Sequence, residues 1–343
     1  MLNHPRLTRL VLLASLFLAG SSGCKNNTEA LPADPIDLSA IDPSVRPQDD
    51  FFTYANGGWI QKAVIPASQS GWGAIYSLGD QSVADMHSIL DSLTKQGGLQ
   101  KDSIGQQVAD LYTSIMDSAG IESKGFNPLK EDLARIGEIK DVPGIMEEAV
   151  RGYKEGNAEL FAFYASPDDK NSTLVIAHFD QGGLGLPNRD YYFKQDSSIR
   201  NIKKAYEDYI IRTFKLIGEG DPAKEAAQVM GAETELAKVS KSPVDLRDPN
   251  ANYHKLSVTG LDKLTPGLKW KNFLMALGVR QDTVLVGQPG FYTGMYTALG
   301  KLPVDNWKSY LKFHLADNYA PVLSAQMVEA QFDYTRLLSG QKE

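Results

Sequence analysis

The chain of 343 residues contains a single cysteine, Cys24, so it cannot form a disulfide within itself. It has 35 lysine and arginine residues against 42 aspartate and glutamate residues, which gives a formal net charge of −7. No basic stripe is available to offset phosphate repulsion, so nucleic-acid binding is not expected. The chain also lacks the G-x-S-x-G turn of a nucleophilic serine and the glycine-lysine-serine end of a phosphate-binding loop.

Histidine is scarce as well. None of the five histidines has a second histidine four residues away, and none is followed by glutamate. The H-E-x-x-H pattern, which places two zinc-binding histidines on one helix face, is therefore absent. His87 and His314 are predicted to lie on helix surfaces or at the edge of the core, and His178 to be packed in a strand. His4 falls in the signal described next, and His254 follows a polar loop. Most carboxylates are predicted to lie on solvated helix faces.

The N-terminus has the pattern of an export signal. Two arginines, Arg6 and Arg9, precede an apolar run from 10 to 19 that is too short to span a membrane. Cys24 directly follows Gly23, which resembles a bacterial lipoprotein processing site, although Ser21 stands where leucine is usual. Residues 1–24 are therefore predicted to be an export and lipoprotein signal, and 25–44 a disordered tether. This predicts an exported lipoprotein, anchored to a membrane at the periplasm or cell surface. The alternative is a plain secretory signal cut nearby.

The remaining chain has mainly helical periodicity. From Asp80 to about residues 97–98, apolar residues recur at intervals of three and four positions. The same spacing returns through most of the chain to 338. Residues 159–164 and 173–179 alternate and are predicted to pair as a small antiparallel hairpin, and 284–286 reads as a short strand. From Pro303 one long helix is predicted, kinked at Pro321. The fold class is therefore mainly α with a small antiparallel β element.

Residues 180–192 read D-Q-G-G-L-G-L-P-N-R-D-Y-Y and form a glycine-rich corner between a strand and a helix. Gly182, Gly183 and Gly185 permit a positive φ, which is expected at Gly185 ahead of Pro187, and Pro187 fixes its own φ. The simplest interpretation is a structural turn in which Arg189 pairs with Asp190 and the tyrosines fill a core. Direct contact with a substrate is the alternative. The residues predicted to give the corner its structure are Asp180, Gly185, Pro187, Arg189, Asp190 and Tyr191.

This corner resembles the signature of the N-terminal half of neprilysin-type zinc metallopeptidases, which include bacterial oligopeptidases. Further matching segments are R-P-Q-D-D-F-F at 46–52, Y-A-N-G-G-W at 54–59, L-R-D-P at 246–249 and L-S-G-Q at 338–341. The resemblance runs in order from about residue 43 to 343.

The resemblance implies a helical lobe, residues 45–343, that caps a thermolysin-like catalytic lobe across a cavity limiting substrates by size. That catalytic lobe is missing from this sequence, which looks like a fragment ending before the zinc motif. Residues 45–76 are expected to pack partly on the missing C-terminal lobe. Zinc is implied in the complete enzyme, with peptides as substrates, whereas this chain is expected to bind no zinc and to be inactive alone.

The resemblance also places Gly71, Trp72 and Ile75 at the edge of the active-site cleft. Relatives that release dipeptides have an arginine at the position of Gly71, where it grips the terminal carboxylate of the substrate. A glycine cannot do this, so endopeptidase action on oligopeptides is expected instead. Ile75 matches an aromatic residue near the pocket for the residue after the cleaved bond, and a simple core isoleucine is the alternative.

Two hypotheses follow. The first is the N-terminal portion of a secreted, lipid-anchored zinc metalloendopeptidase that acts on oligopeptides. The second is a non-catalytic lipoprotein that binds peptides or a partner protein.

Overall fold

The computed structural model describes residues 37–342 except 97, 158 and 219. The predicted signal, Cys24 and the first part of the predicted tether lie outside these residues. The chain divides into two compact units, one up to Val64 and one from Ile65. The domain boundaries drawn from the sequence at 24, 44 and 76 remain predictions.

The first unit contains a short 3₁₀ turn, Leu38–Ala40, and helix α1, Phe51–Ile60. Asp50 caps α1, because its side chain accepts a hydrogen bond from the backbone N–H of Thr53 at 2.9 Å. The aromatic segment at 51–59 is therefore helical.

The second unit is mostly helical, as predicted. Its helices before the sheet hairpin are α2 Ala74–Lys95, α3 Ile104–Met116, α4 Ser118–Lys124, α5 Lys130–Gly137 and α6 Val142–Glu155. The later helices are α7 Asp190–Phe193, α8 Ser197–Ile217, α9 Pro222–Val239, α10 Val258–Leu264, α11 Trp270–Ala276, α12 Pro289–Lys301, α13 Val304–Tyr319 and α14 Ala325–Ser339.

Local sequence explains many of the helix ends. Ser103, Asp141 and Asp221 each accept a backbone hydrogen bond as N-caps of α3, α6 and α9. Gly218 ends α8 in the left-handed conformation, with φ of 82°. Two predictions of extent were wrong. Helix α2 begins at Ala74 rather than at Asp80, and the long C-terminal helix is two helices.

The interruption of the C-terminal helix lies at a proline. Helix α13 ends at Tyr319, a 3₁₀ turn covers Ala320–Val322, and α14 begins at Ala325. Pro321 has no backbone N–H to continue the hydrogen-bond ladder, so the helix stops there instead of bending.

The β element is larger than predicted. Four strands, β1 Phe161–Asp168, β2 Asn171–Gln181, β3 Lys255–Ser257 and β4 Thr283–Val286, lie in the order β1-β2-β4-β3. The predicted hairpin β1–β2 is antiparallel, but β2 pairs parallel with β4, which makes the sheet mixed. Strand β3, which pairs antiparallel with β4, was not predicted, because three residues show no alternation to detect.

Two apolar clusters form the core of the second unit. The larger lies against the inner face of the sheet and includes the fully buried rings of Phe161, Phe179, Trp270 and Tyr292. The smaller lies between α8, α9, α13 and α14 and includes Tyr206, Tyr209, Phe313 and Tyr334. The glycine-rich corner joins the sheet to this second cluster through Leu186 and Tyr192.

Candidate functional site

The predicted cleft residues lie immediately before and within the first turn of α2. The rings of Trp72 and Tyr76 stack, with centroids 6.5 Å apart and planes 29° apart. Ile75 is 85% exposed, so it is not the core isoleucine of the alternative interpretation. A Cβ at Gly71 would lie 3.4 Å from the Tyr76 hydroxyl, which is an ordinary contact, so a side chain fits there. An aromatic pair and an exposed aliphatic side chain therefore share one short segment.

Helices α2 and α3 continue this exposed apolar surface. No residue of α2 is buried, and in α3 only Ala109 is. The contacts between the two helices include polar ones, since Tyr112 donates a hydrogen bond to Asp91 at 2.9 Å and lies 3.2 Å from the His87 Nδ1. Their exposed large apolar residues are Ile75, Tyr76, Leu78, Val83, Met86 and Ile89 on α2 and Ile104, Val108, Leu111, Ile115 and Met116 on α3. We call these two helices the exposed helix pair.

The glycine-rich corner uses its glycines differently from the prediction. Gly183, not Gly185, has a positive φ, of 76°. Gly185 is required for space, because a Cβ there would overlap the hydroxyl of Tyr206. The Gly185 carbonyl accepts from Tyr334 at 3.1 Å. The positive φ permitted at Gly183 is therefore present, the one expected at Gly185 was wrong, and close packing is the physical reason for Gly185.

The polar residues of the corner are largely bonded within the chain. Arg189 donates to the carbonyl of Ala237 at 3.3 Å, whereas its nearest approach to Asp190 is 3.9 Å. Asp190 has a closer partner in Lys194, at 2.9 Å. The predicted Arg189–Asp190 pair is thus weak. Tyr191 is half-buried and Pro187 is exposed, and no catalytic geometry is formed among these residues.

A buried carboxylate lies beneath this corner. Glu233 of α9 is completely buried and accepts hydrogen bonds from the hydroxyls of Tyr192 and Tyr206, both at 2.7 Å. The Nε2 of His314 lies 2.9 Å from the same carboxylate. His314, predicted at a helix surface or at the core edge, is buried, and Glu233 is an exception to the prediction that most carboxylates lie on solvated helix faces. We call these four residues the Glu233 cluster.

The sequence contained a signal for this cluster. Glu233 lies four residues after Val229 and three before Leu236, both fully buried, so it shares the apolar face of α9. A carboxylate on such a face must be paired or hydrogen-bonded.

Burial and charge shift the titration of the cluster's other members. Burial and then the charge of Glu233 hold the pKa of Tyr206 well above its ordinary value, and burial does the same for Tyr192. Burial alone would lower the pKa of His314, but its hydrogen bond to Glu233 and the charge of Glu233 raise it overall. The cluster therefore favours a protonated histidine beside a buried carboxylate.

A second buried carboxyl lies near the cluster. Glu159 is buried, and its Oε2 has no hydrogen-bond partner in the described part of the chain. Burial raises its pKa to about 8, and His314 opposes this shift. Burial therefore keeps Glu159 protonated to a higher pH than an exposed glutamate.

The described residues do not fit a catalytic zinc. They contain no group of three histidine, cysteine, aspartate or glutamate side chains placed to hold a metal ion. His314 has Glu233 as its one carboxylate hydrogen-bond partner, and the Nδ1 of His254 faces the carbonyls of Val286 and Gly287 at 3.2 Å. No hydrolytic step can be assigned to these side chains. Among the helices of residues 37–342 that the structure describes, none is both long and apolar enough to cross a membrane.

Comparison with known proteins gives consistent matches along the chain. The family model described as Peptidase family M13 matches residues 47–343. Endothelin-converting enzyme 1 of Rattus norvegicus is 26% identical over 98% of this chain and 47% of its own length. The Homo sapiens protein of that name is 32% identical over 69% of this chain and 31% of its own length. The chain thus spans about half the length of the curated relatives it matches.

Solved structures agree with this match. Zinc metalloprotease Zmp1 of Mycobacterium tuberculosis, in complex with an inhibitor, superposes with a TM-score of 0.82 and 30% identity over 90% of this chain and 48% of its own. PepO from Lactobacillus rhamnosis HN001 has a TM-score of 0.72 over 87% of this chain and 48% of its own. At 18% identity, that second likeness concerns the fold alone.

Proposed function

The chain belongs to peptidase family M13, and from this membership we propose that it is the N-terminal portion of a zinc metalloendopeptidase acting on oligopeptides. In this proposal the described residues close one side of the active-site cavity, and the zinc ligands lie in a separate catalytic lobe. The likeness to Zmp1, a zinc metalloprotease of which this chain covers 48%, supports that division.

The exposed helix pair is the observation that carries the proposal. Leu78 is 68% exposed and Leu111 is 62% exposed, and both lie on helices whose apolar side chains are turned outward. Many exposed large apolar side chains on two neighbouring helices favour an interaction site there. A catalytic lobe packed on the helix pair would remove these side chains from water, which favours assembly by about 25 cal/mol for each Å² of apolar surface buried.

The segment at 71–75 supports peptide contact in the same part of the chain. The Trp72–Tyr76 stack and the exposed Ile75 offer apolar surface to substrate side chains. Gly71 supplies no cation for a terminal carboxylate, which favours endopeptidase action over release of dipeptides. We assign these residues to substrate binding and none to the bond-breaking step.

The proposal extends to location. An export signal with lipid attached to Cys24 would anchor the protein to a membrane facing the periplasm or cell surface. Fractionation of cells that express the wild-type protein or Cys24→Ser tests this point. The wild type is expected with membranes and the variant in the soluble fraction, and a soluble wild type would contradict the anchor.

The alternative is a non-catalytic lipoprotein that binds peptides or a partner protein. The exposed helix pair suits a separate partner as well as it suits a catalytic lobe. The nucleotide sequence after codon 343 separates the two functions. An open frame that encodes H-E-x-x-H supports the peptidase, and a stop codon supports the binding protein.

Substrate size tests the closing role directly. In the complete peptidase, quenched peptides are expected to be cleaved in a chelator-sensitive manner, whereas a large unfolded protein such as reduced casein should be cleaved poorly. Equal rates for peptide and casein would contradict a cavity closed by these residues.

A further inference from the structure

A second candidate site lies on the outer face of the sheet, away from the larger apolar cluster. His178 and Asp180 of β2 face outward beside Tyr164 of β1, because His178 pairs with Tyr164 and alternate residues share a face. Between this face and the loop that contains Leu246 and Asn252 is a cavity of about 350 Å³. None of the residues 70–76 contributes to it.

The charged lining of this cavity is acidic. Asp169 and Asp180 line it, and no lysine or arginine does. The carboxylate of Asp180 is held in place, because Tyr164 donates to it at 2.7 Å and Gln288 at 3.2 Å. The backbone leaves room for it as well, since a side chain on Gly287 would overlap Asp180. The carboxylate is therefore held by Tyr164 of β1 and by the Gly287–Gln288 segment that follows β4.

A buried histidine adds an independent sign of a ligand. His178 lines the cavity, is only 4% exposed, and its Nε2 has no hydrogen-bond partner among the described residues. The ring of Tyr164 stacks on it, with centroids 5.0 Å apart and planes 14° apart. A buried polar nitrogen without a partner is unusual in a folded protein. In the tautomer that carries its proton on Nδ1, Nε2 is an acceptor, and a ligand with an N–H donor would satisfy it.

Two lysines near the cavity already have partners within the chain. Lys241 donates to the Ala251 carbonyl at 3.1 Å and to Asn252 at 3.0 Å. Lys255 pairs with the buried Asp168 at 2.8 Å. The cavity lining therefore contains hydrogen-bond acceptors and negatively charged groups, and it contains no lysine or arginine.

We propose that this cavity binds an organic cation with a primary ammonium or guanidinium group. Such a group donates several hydrogen bonds, which matches the carboxylate of Asp180 and the free Nε2 of His178. The exposed ring of Tyr164 offers a face for cation–π contact. A metal ion suits the lining less well, because no three metal-ligating side chains of the described residues converge there.

Two sources supply this chemistry, a basic residue of a peptide and a free polyamine. Isothermal titration calorimetry of the 343-residue protein with acetyl-lysine amide, a capped Gly-Arg-Gly peptide, agmatine and spermidine distinguishes them. Tighter binding of the capped compounds assigns the site to peptides, and tighter binding of the free amines assigns it to small amines. Acetyl-norleucine amide, which lacks the charge, is expected not to bind.

Charge removal at Asp180 is the decisive variant. Asp180→Asn keeps the shape of the side chain and is expected to weaken binding of every cationic probe about tenfold, as loss of one charge-assisted hydrogen bond does. Asp305→Asn, at an exposed position of α13 paired with Lys308, removes the same charge elsewhere and should leave binding unchanged.

Tyr164→Phe is a second variant, which tests whether weaker binding by Asp180→Asn is caused by misfolding rather than by loss of charge. It retains the ring and frees the Asp180 oxygen that Tyr164 occupies, so cation binding should be retained or tightened. The proposal is overturned if no cationic probe binds the wild type, if the norleucine compound binds equally, or if Asp180→Asn and Asp305→Asn behave alike. None of these readouts involves peptidase activity, so they are independent of the proposed function.

Discussion

The exposed helix pair carries apolar side chains on its outside, whereas the helices around Glu233 enclose a carboxylate, a histidine and two tyrosine hydroxyls. In the first region, α2 has no buried residue, and its contacts with α3 include the hydrogen bond from Tyr112 to Asp91. In the second, the carboxylate of Glu233 is bonded to groups of the same chain.

The difference shows where each region finds its partners. A buried charge is tolerated only when it is hydrogen-bonded, so the Glu233 cluster must be completed within this fold. Exposed apolar helices gain most when another surface covers them. The Glu233 cluster is therefore expected to determine the stability of this chain. The exposed helix pair is expected to determine its association with other surfaces.

Truncation of Glu233 should have the largest effect. Glu233→Ala leaves the donors of Tyr192, Tyr206 and His314 without their acceptor, and the free energy of unfolding is expected to fall by about 3–5 kcal/mol. Urea unfolding followed by circular dichroism measures this. Glu235→Ala is the matched control two residues along α9, where the carboxylate pairs with Lys238 near the surface. Its cost should be about 0–1 kcal/mol, and equal costs would contradict a special role for Glu233.

Crowding of the same cluster should cost less. Gly185→Val places a side chain against the hydroxyl of Tyr206, and overpacking of this kind costs on the order of 1–3 kcal/mol. The control is Gly220→Val, where a Cβ meets no atom within 4 Å and φ is not positive. The melting temperature of the control should be close to wild type. An unchanged melting temperature for Gly185→Val would mean that the corner tolerates a side chain there.

Stability should depend on pH through the buried groups. Burial raises the pKa of Glu159 from 4.5 to about 8 in the folded chain, so unfolding releases its proton between these values and stability falls as pH rises. The pKa of His314 is also raised, so its contribution is complete below 6.5 and is lost at higher pH. Both act in the same direction. Melting temperatures are expected to decrease from pH 5 to pH 8, and Glu159→Gln should flatten that decrease; identical profiles would exclude Glu159 as a cause.

Substitution on the exposed helix pair should change stability least. The double variant Leu78→Gln with Leu111→Gln removes apolar surface that already faces water. Its free energy of unfolding should therefore differ from wild type by no more than about 0.5 kcal/mol. Self-association, measured by sedimentation velocity, should decrease because the apolar surface is smaller. Leu236→Gln is the buried counterpart and should be strongly destabilising. A large loss of stability in the double variant would show that the helix pair is packed in solution by this chain itself.

Local patterns in the sequence were sufficient for most of the helices. Capping by Asp141 and Asp221 and the apolar period of α8 and α9 are signals contained within a few residues. The pairing of β2 with β4 joins residues more than a hundred positions apart, such as Ala177 and Val284, and no local period reports it.

The candidate sites were harder to predict than the fold. The sequence marked Gly71, Trp72 and Ile75 by resemblance, yet the exposure of Ile75 depends on how α2 sits in the fold. The prediction for Gly185 was wrong because the absence of a side chain there is required by the nearby hydroxyl of Tyr206, which lies on helix α8. Long-range contacts of this kind are invisible to a reading of neighbouring residues.

Metal content and peptide hydrolysis of the purified 343-residue chain test the central claim most directly. The described residues hold no three-ligand metal group, and a catalytic zinc needs about three protein ligands with a fourth position open. After dialysis the chain is therefore expected to retain no stoichiometric zinc and to leave an internally quenched peptide uncut, with or without chelator. Stoichiometric zinc together with chelator-sensitive cleavage by the pure chain would contradict the proposal that the zinc ligands lie in a separate catalytic lobe.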